Sequence, residues 1–206
     1  MAPTLSGYHR ALDLFEDRVG GVPGDRWPAP SPCDRWTARE VAGHMIGGQY
    51  AILALATGWP APDAGGAGAG IGGVDVGAGG EPGGFATGDV LLAWRTARKE
   101  CDAALTPEAL RRPIPFGTLG ELPLIDFLGA YVLEPLVHAW DLARATGQPE
   151  RLDQDLVHHA FATAHVVAAG LRAAGRLGPA LPPPPRADEQ TRLLAFLGRA
   201  AEPRDA

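Results

Sequence analysis

The sequence predicts an all-α bundle of four or five helices. Apolar residues recur at three- and four-residue spacing along most of the 206-residue chain, the periodicity of amphipathic helices. Helix-start and helix-stop chemistry brackets those stretches. No run shows the period-two alternation of a half-buried strand.

Leu5, Tyr8, Leu12, Phe15 and Val19 predict a first helix of about four turns, with Gly20 and Gly21 ending it. The proline-rich stretch 23–32, carrying Trp27, reads as a packed loop. Thr37 followed by Glu40 is a capping box, and Trp36 and Val41 sit where a hydrophobic staple forms. The second helix therefore runs from about Ala38 to Thr57, with the stripe Val41, His44, Met45, Gly48, Ile52 and Leu55. Residues 63–84 are half glycine and read as a flexible crossover. The GxGxxG spacing of Gly68, Gly70 and Gly73 lacks the preceding strand and following helix of a dinucleotide site.

A third helix is expected over about 88–105, facing inward with Val90, Trp94, Ala97, Cys101 and Ala104. Arg98 and Lys99 on it read as a solvated face. Thr106, Pro107 and Glu108 open a short helical turn with proline at its first position. Residues 113–121 read as a loop. The fourth helix is expected from about Pro123 to Thr146, closed by Gly147. Pro135 inside it removes a backbone donor and should kink or locally open it. Asp153 caps a fifth helix to about Ala174, with Val157, Phe161, Ala164, Ala168 and Leu171 inward. A proline-rich spacer, 176–188, precedes a short last helix that docks through Leu193, Leu194 and Leu197. The whole reads as a single domain, 1–206.

Composition narrows the function. A net charge of −6 argues against a nucleic-acid binder. No apolar run approaches the roughly 18 residues of a membrane span. Met1 to Gly7 lacks the basic-then-apolar pattern of a signal peptide, so the cytoplasm is the expected location. Cys33 and Cys101 are too few for a disulfide framework. Cys101 lies on a helical apolar stripe, whereas Cys33 follows Pro32 in a loop from which it could approach a site. Lys99 is the only lysine, arginine is abundant and asparagine is absent, the codon signature of a GC-rich genome of the actinobacterial kind.

The chemistry lies where the apolar stripes are interrupted. His44 interrupts the second helix. Glu134 and His138, four residues apart, interrupt the fourth on one face. A carboxylate turned into a core is costly unless it is paired or binds a cation. Two imidazoles and one carboxylate are the three protein ligands of a catalytic zinc site with one position open. The same donors suit non-haem iron or nickel. Singly, each interruption also reads as a hydrogen-bonded core histidine or a surface pair. Asp141 can hydrogen-bond the second nitrogen of His138 and fix its tautomer, or pair with Arg144. His9, His158, His159 and His165 read as structural or solvent-facing. Trp27, Trp36, Trp59 and Trp140 could line a pocket or pack the core. Walker A, CxxC, HExxH and G-x-S-x-G motifs are absent.

The string SPCDRWTAREVAGHMIGGQ resembles the second helix of the DinB-like, mycothiol-dependent maleylpyruvate isomerase N-terminal family, and EPLVHAWDLARATGQP is similar to its fourth. The ending LLAFLGRA resembles the C-terminus of short, single-domain actinobacterial members, whereas the isomerase carries a further C-terminal domain. The resemblance implies a DinB-like four-helix bundle with a divalent metal on His44, Glu134 and His138. It also implies mycothiol as co-substrate in an isomerase or S-transferase reaction on a small electrophile. A metal-dependent hydrolase, with Asp141 as the nearby base, and a non-enzymatic metal-binding or stress-response bundle are the alternatives. A monomer or homodimer is expected.

Overall fold

In a computed structural model, the structure describes residues 5–33, 36–58, 86, 88–116 and 120–201. The Gly-rich stretch 63–84, with its GxGxxG spacing, and Trp59 lie outside them. Among the described residues, seven α-helices and one small sheet follow in the order α1 (Leu5–Gly20), α2 (Ala38–Thr57), α3 (Val90–Ala104), β1 (Pro113–Pro115), β2 (Glu121–Pro123), α4 (Leu124–Tyr131), α5 (Leu133–Thr146), α6 (Gln154–Ala173) and α7 (Glu189–Phe196). The fold is mainly α and DinB-like. Helices α1, α2, α3 and α5 form the bundle, α6 packs on α5, and α7 packs on α6.

Local chemistry sets the helix limits. The α2 capping box forms as its sequence demands: Thr37 Oγ accepts from the Glu40 amide, and Glu40 Oε2 accepts from the Thr37 amide at 2.7 Å. Asp89, Asp153 and Asp188 accept from backbone amides at the starts of α3, α6 and α7. Gly58 and Gly147 close α2 and α5 in the left-handed conformation that glycine adopts without strain.

The inward stripes meet in one core. Tyr8, Leu12 and Phe15 of α1 join Trp94 and Cys101 of α3, and Phe127, Tyr131 and Trp140 of α4 and α5. Helix α2 is buried on more than one face, with Gly43, Gly47 and Gly48 all enclosed, as befits a helix packed against both α3 and α5.

Four expectations need correction. The single helix from Pro123 to Thr146 is two helices, divided at Val132. Proline at 135 has no N–H for the Tyr131 carbonyl. The chain therefore starts a new helix, with Pro135 in its first turn, where no intrahelical donor is needed. The loop at 113–121 contains strands: Ile114 pairs with Leu122 in an antiparallel ladder between Pro113↔Pro123 and Pro115↔Glu121. Strands of three residues are too short to show a period. Arg98 does not sit on a solvated face. It pairs with Asp13 at 2.6 Å and Glu16 at 3.2 Å and clamps α3 to α1. Phe161, expected in the core, is only half-buried and stacks on His165, 4.9 Å between centroids.

Candidate metal centre

The α2–α5 contact brings His44 beside Glu134 and His138. Their ligand atoms lie within 4.8 Å of one another. Oε2 of Glu134 stands 3.4 Å from Nε2 of His44 and 3.4 Å from Nε2 of His138. A charge-assisted hydrogen bond would draw such atoms to about 2.7–2.9 Å. A tetrahedral ion with ligands at 2.0–2.2 Å sets its donors about 3.4 Å apart. The two imidazoles also meet edge to face, with centroids 5.0 Å apart and planes at 72°, so their nitrogens converge and the rings do not stack. Donor type and spacing thus fit a divalent cation.

Each side chain is aimed by its element. His44 lies in the second turn of α2, whose register the capping box fixes. Glu134 lies in the first turn of α5, where the exposed backbone amides favour a negative charge. His138 stands one turn further along the same face. Trp36, just ahead of the α2 cap, covers both imidazoles, with centroids 4.8 Å from His44 and 5.9 Å from His138. Of the other tryptophans within the described residues, Trp140 is core and Trp27 lies under Arg39.

Behind His138 is a second tier. Nδ1 of His138 lies 3.0 Å from Oδ2 of the fully buried Asp141. An ionised carboxylate only accepts, so Nδ1 carries the proton and Nε2 faces Glu134. Arg199, just past α7, grips Asp141 with a two-pronged fork: Nη2 to Oδ2 at 2.9 Å and Nε to Oδ1 at 3.3 Å. Arg144 pairs with Glu150 at 2.8 Å, so the Asp141–Arg144 alternative falls away. Cys33 approaches from the α1–α2 connection. A ligand atom from each of Cys33, His138 and Asp141 lies within 4.8 Å of the others.

The electrostatics follow from burial and pairing. Burial pushes the Glu134 carboxyl up, but His138 and His44 outweigh it and hold the group well below the ordinary carboxylate range. Burial also opposes the charge on His138. Its hydrogen bond to Asp141 and the neighbouring Glu134 carboxylate win and raise it to about 9. For Asp141, burial is overcome by the charge of Arg199 and then by His138, and the carboxyl is lowered.

The remaining histidines are structural or solvent-facing. His158 pairs with Glu189 at 2.9 Å, His159 meets the Gly129 carbonyl at 2.9 Å, and His9 stands 3.8 Å from Asp102. His165 packs on Phe161 and Phe196. Sequence reasoning missed Arg199. The only available signal was one arginine directly after the apolar run of the last helix, and nothing local distinguishes it from a solvated one.

Two histidines and a glutamate thus converge between two helices of a helical bundle, a donor set of the kind that could hold a metal ion. The family model for the mycothiol maleylpyruvate isomerase N-terminal domain matches residues 8–143, and the chain belongs to that family. Two proteins of Mycobacterium tuberculosis, from strains CDC 1551 / Oshkosh and ATCC 25618 / H37Rv, are each 29% identical over 202 residues. The match covers 95% of this chain and 97% of each relative, and both carry the description "uncharacterized protein". No solved structure matches significantly. No helix among the described residues is long and apolar enough to cross a membrane.

Proposed function

We propose that this chain is a zinc-binding, mycothiol-dependent S-transferase or isomerase that acts on a small electrophilic metabolite in the cytoplasm. His44, Glu134 and His138 hold the ion. The observation that carries the reading is the placement of both Nε2 atoms 3.4 Å from one Glu134 oxygen, the spacing of ligands around an ion. The ion supplies positive charge that favours the thiolate of a bound thiol. Asp141 keeps the His138 proton on Nδ1, and Arg199 keeps Asp141 ionised and in place. Trp36 walls off one side of the pocket. Membership of a mycothiol-related family supports a sugar-linked thiol as the small-molecule partner.

The hydrolase alternative needs a base beside the ion, and Asp141 is poorly placed for it. It lies behind His138, fully buried and held in the Arg199 fork.

Metal analysis of protein purified without a histidine tag tests the first half. Wild type is expected to carry about one zinc per chain and Glu134→Ala almost none. Equal metal in both would sink the site; nickel or iron in place of zinc would revise the ion and keep the ligands. Calorimetry of zinc-loaded protein with mycothiol tests the second half. Saturable heat is expected, and none at millimolar thiol would remove the thiol-transfer reading.

A further inference from the structure

Gln49 is a fully buried polar residue on α2. Its Oε1 accepts a hydrogen bond from the Tyr8 hydroxyl at 3.1 Å, and that hydroxyl also lies 3.9 Å from Cys101 Sγ. Nε2 of Gln49, at the other end of the amide, has no hydrogen-bond partner among the described residues. Neither has the hydroxyl of Tyr131. Buried donors left unmade are rare, because they lose water and gain nothing, and a bound water is a common reason for them.

These groups share one region of the core. The Tyr8 and Tyr131 rings stand 6.3 Å apart. Tyr131 is buried at the end of α4, three residues before Glu134 in the first turn of α5, and the Tyr8 hydroxyl sits beside Cys101. Trp94 Nε1 is also unpartnered, but Trp94 precedes Cys101 by two turns of α3, a rise of about 10 Å. The chemistry of the shared groups has a direction. Nε2 of Gln49 can only donate, the Glu134 carboxylate can only accept, and the Tyr131 hydroxyl can do both. A water molecule, with two donors and two acceptors, satisfies all three at once.

We propose that an internal water binds between Gln49 Nε2 and the Tyr131 hydroxyl on the core side of Glu134, and that it braces the Glu134 carboxylate from below. Gln49 donates to the water. The water donates onward toward Glu134, directly or through the Tyr131 hydroxyl. Tyr131 and Gln49 are then positioning residues for a ligand they do not themselves coordinate. The bracing role rests on the metal reading; the water site does not.

The test compares metal-free wild type, Tyr131→Phe and Gln49→Met by water-oxygen magnetic relaxation dispersion, which counts long-lived internal waters. Each variant is expected to lose one water relative to wild type. Equal counts in wild type and both variants overturn the water site. Zinc titration against a chromophoric chelator then tests the bracing. Tyr131→Phe is expected to bind zinc about tenfold more weakly, as loss of an outer hydrogen-bond partner of a metal ligand does. A Tyr131→Phe protein that melts higher than wild type with unchanged zinc affinity overturns the bracing role, since its hydroxyl would then be only an unmet polar group. Wild type that binds no zinc would sink the metal reading, while the water count would still decide the water site.

Discussion

At His138 two carboxylates compete with burial. Asp141 and Glu134 raise its pKa to about 9 from the ordinary 6.5, so in the metal-free protein it holds a proton at neutral pH. An incoming ion must displace that proton from Nε2. Zinc affinity is therefore expected to rise with pH, by about tenfold per unit between pH 6 and 8 if one proton leaves per ion. Potentiometric or chelator titrations at several pH values check this. Metal-free stability has the opposite sign. A raised folded-state pKa contributes stability that is complete below the unfolded value and lost as pH climbs through the folded one. The melting temperature of chelator-treated protein should therefore fall between pH 6.5 and 9.5. A metal-free melting temperature that rises across that window would mean that His138 is neutral in the fold.

At the scale of elements, the start of α2 matters most to the site. The Thr37–Glu40 box fixes where α2 begins, and so which face carries His44. It also sets Trp36, the residue before the cap, against both imidazoles. Thr37→Ala removes the side-chain acceptor and is expected to destabilise the fold by about 1 kcal/mol, read as a lower urea midpoint with an unchanged slope. Helix α5 offers a parallel case. Pro135 splits the stretch that would otherwise be one helix, and the split leaves Glu134 in the first turn of the second piece. The cap was legible in the chain, and so was an interruption at Pro135, because caps and proline act over a few residues; that the interruption makes two helices was not. The ladder of Ile114 with Leu122 was not legible. Its two strands each have three residues, too few for a period to show. Arg98 was misread for a related reason: whether an arginine meets water or Asp13 and Glu16 depends on which helix lies opposite.

Across the whole molecule, the site joins segments far apart in the chain: the α1–α2 connection through Cys33 and Trp36, α2 through His44, α5 through Glu134, His138 and Asp141, and the residues after α7 through Arg199. The C-terminal fork closes the set. Removing it by Arg199→Ala leaves Asp141 buried with only His138 as a charged partner and is expected to destabilise the metal-free protein by roughly 3 kcal/mol. Zinc is expected to stabilise the wild type. At a free concentration of 100 times its Kd it adds about 2.7 kcal/mol, which for a domain of this size raises the melting temperature by about 5–10 °C. Calorimetric scans of both proteins, with and without zinc, check the two expectations together; no zinc-dependent shift in wild type would count against a native cation site.

Apolar periodicity, caps and glycine stops are local properties. From them the helices, most of their limits and the inward position of His44, Glu134 and His138 could be read without coordinates, because each depends only on residues within a turn or two. The choice of Arg199 over Arg144 as the partner of Asp141, the approach of Cys33 and the buried Tyr8–Gln49 pair could not. Those are meetings between elements distant in sequence, and a single chain carries no signal for them until packing has chosen which faces touch.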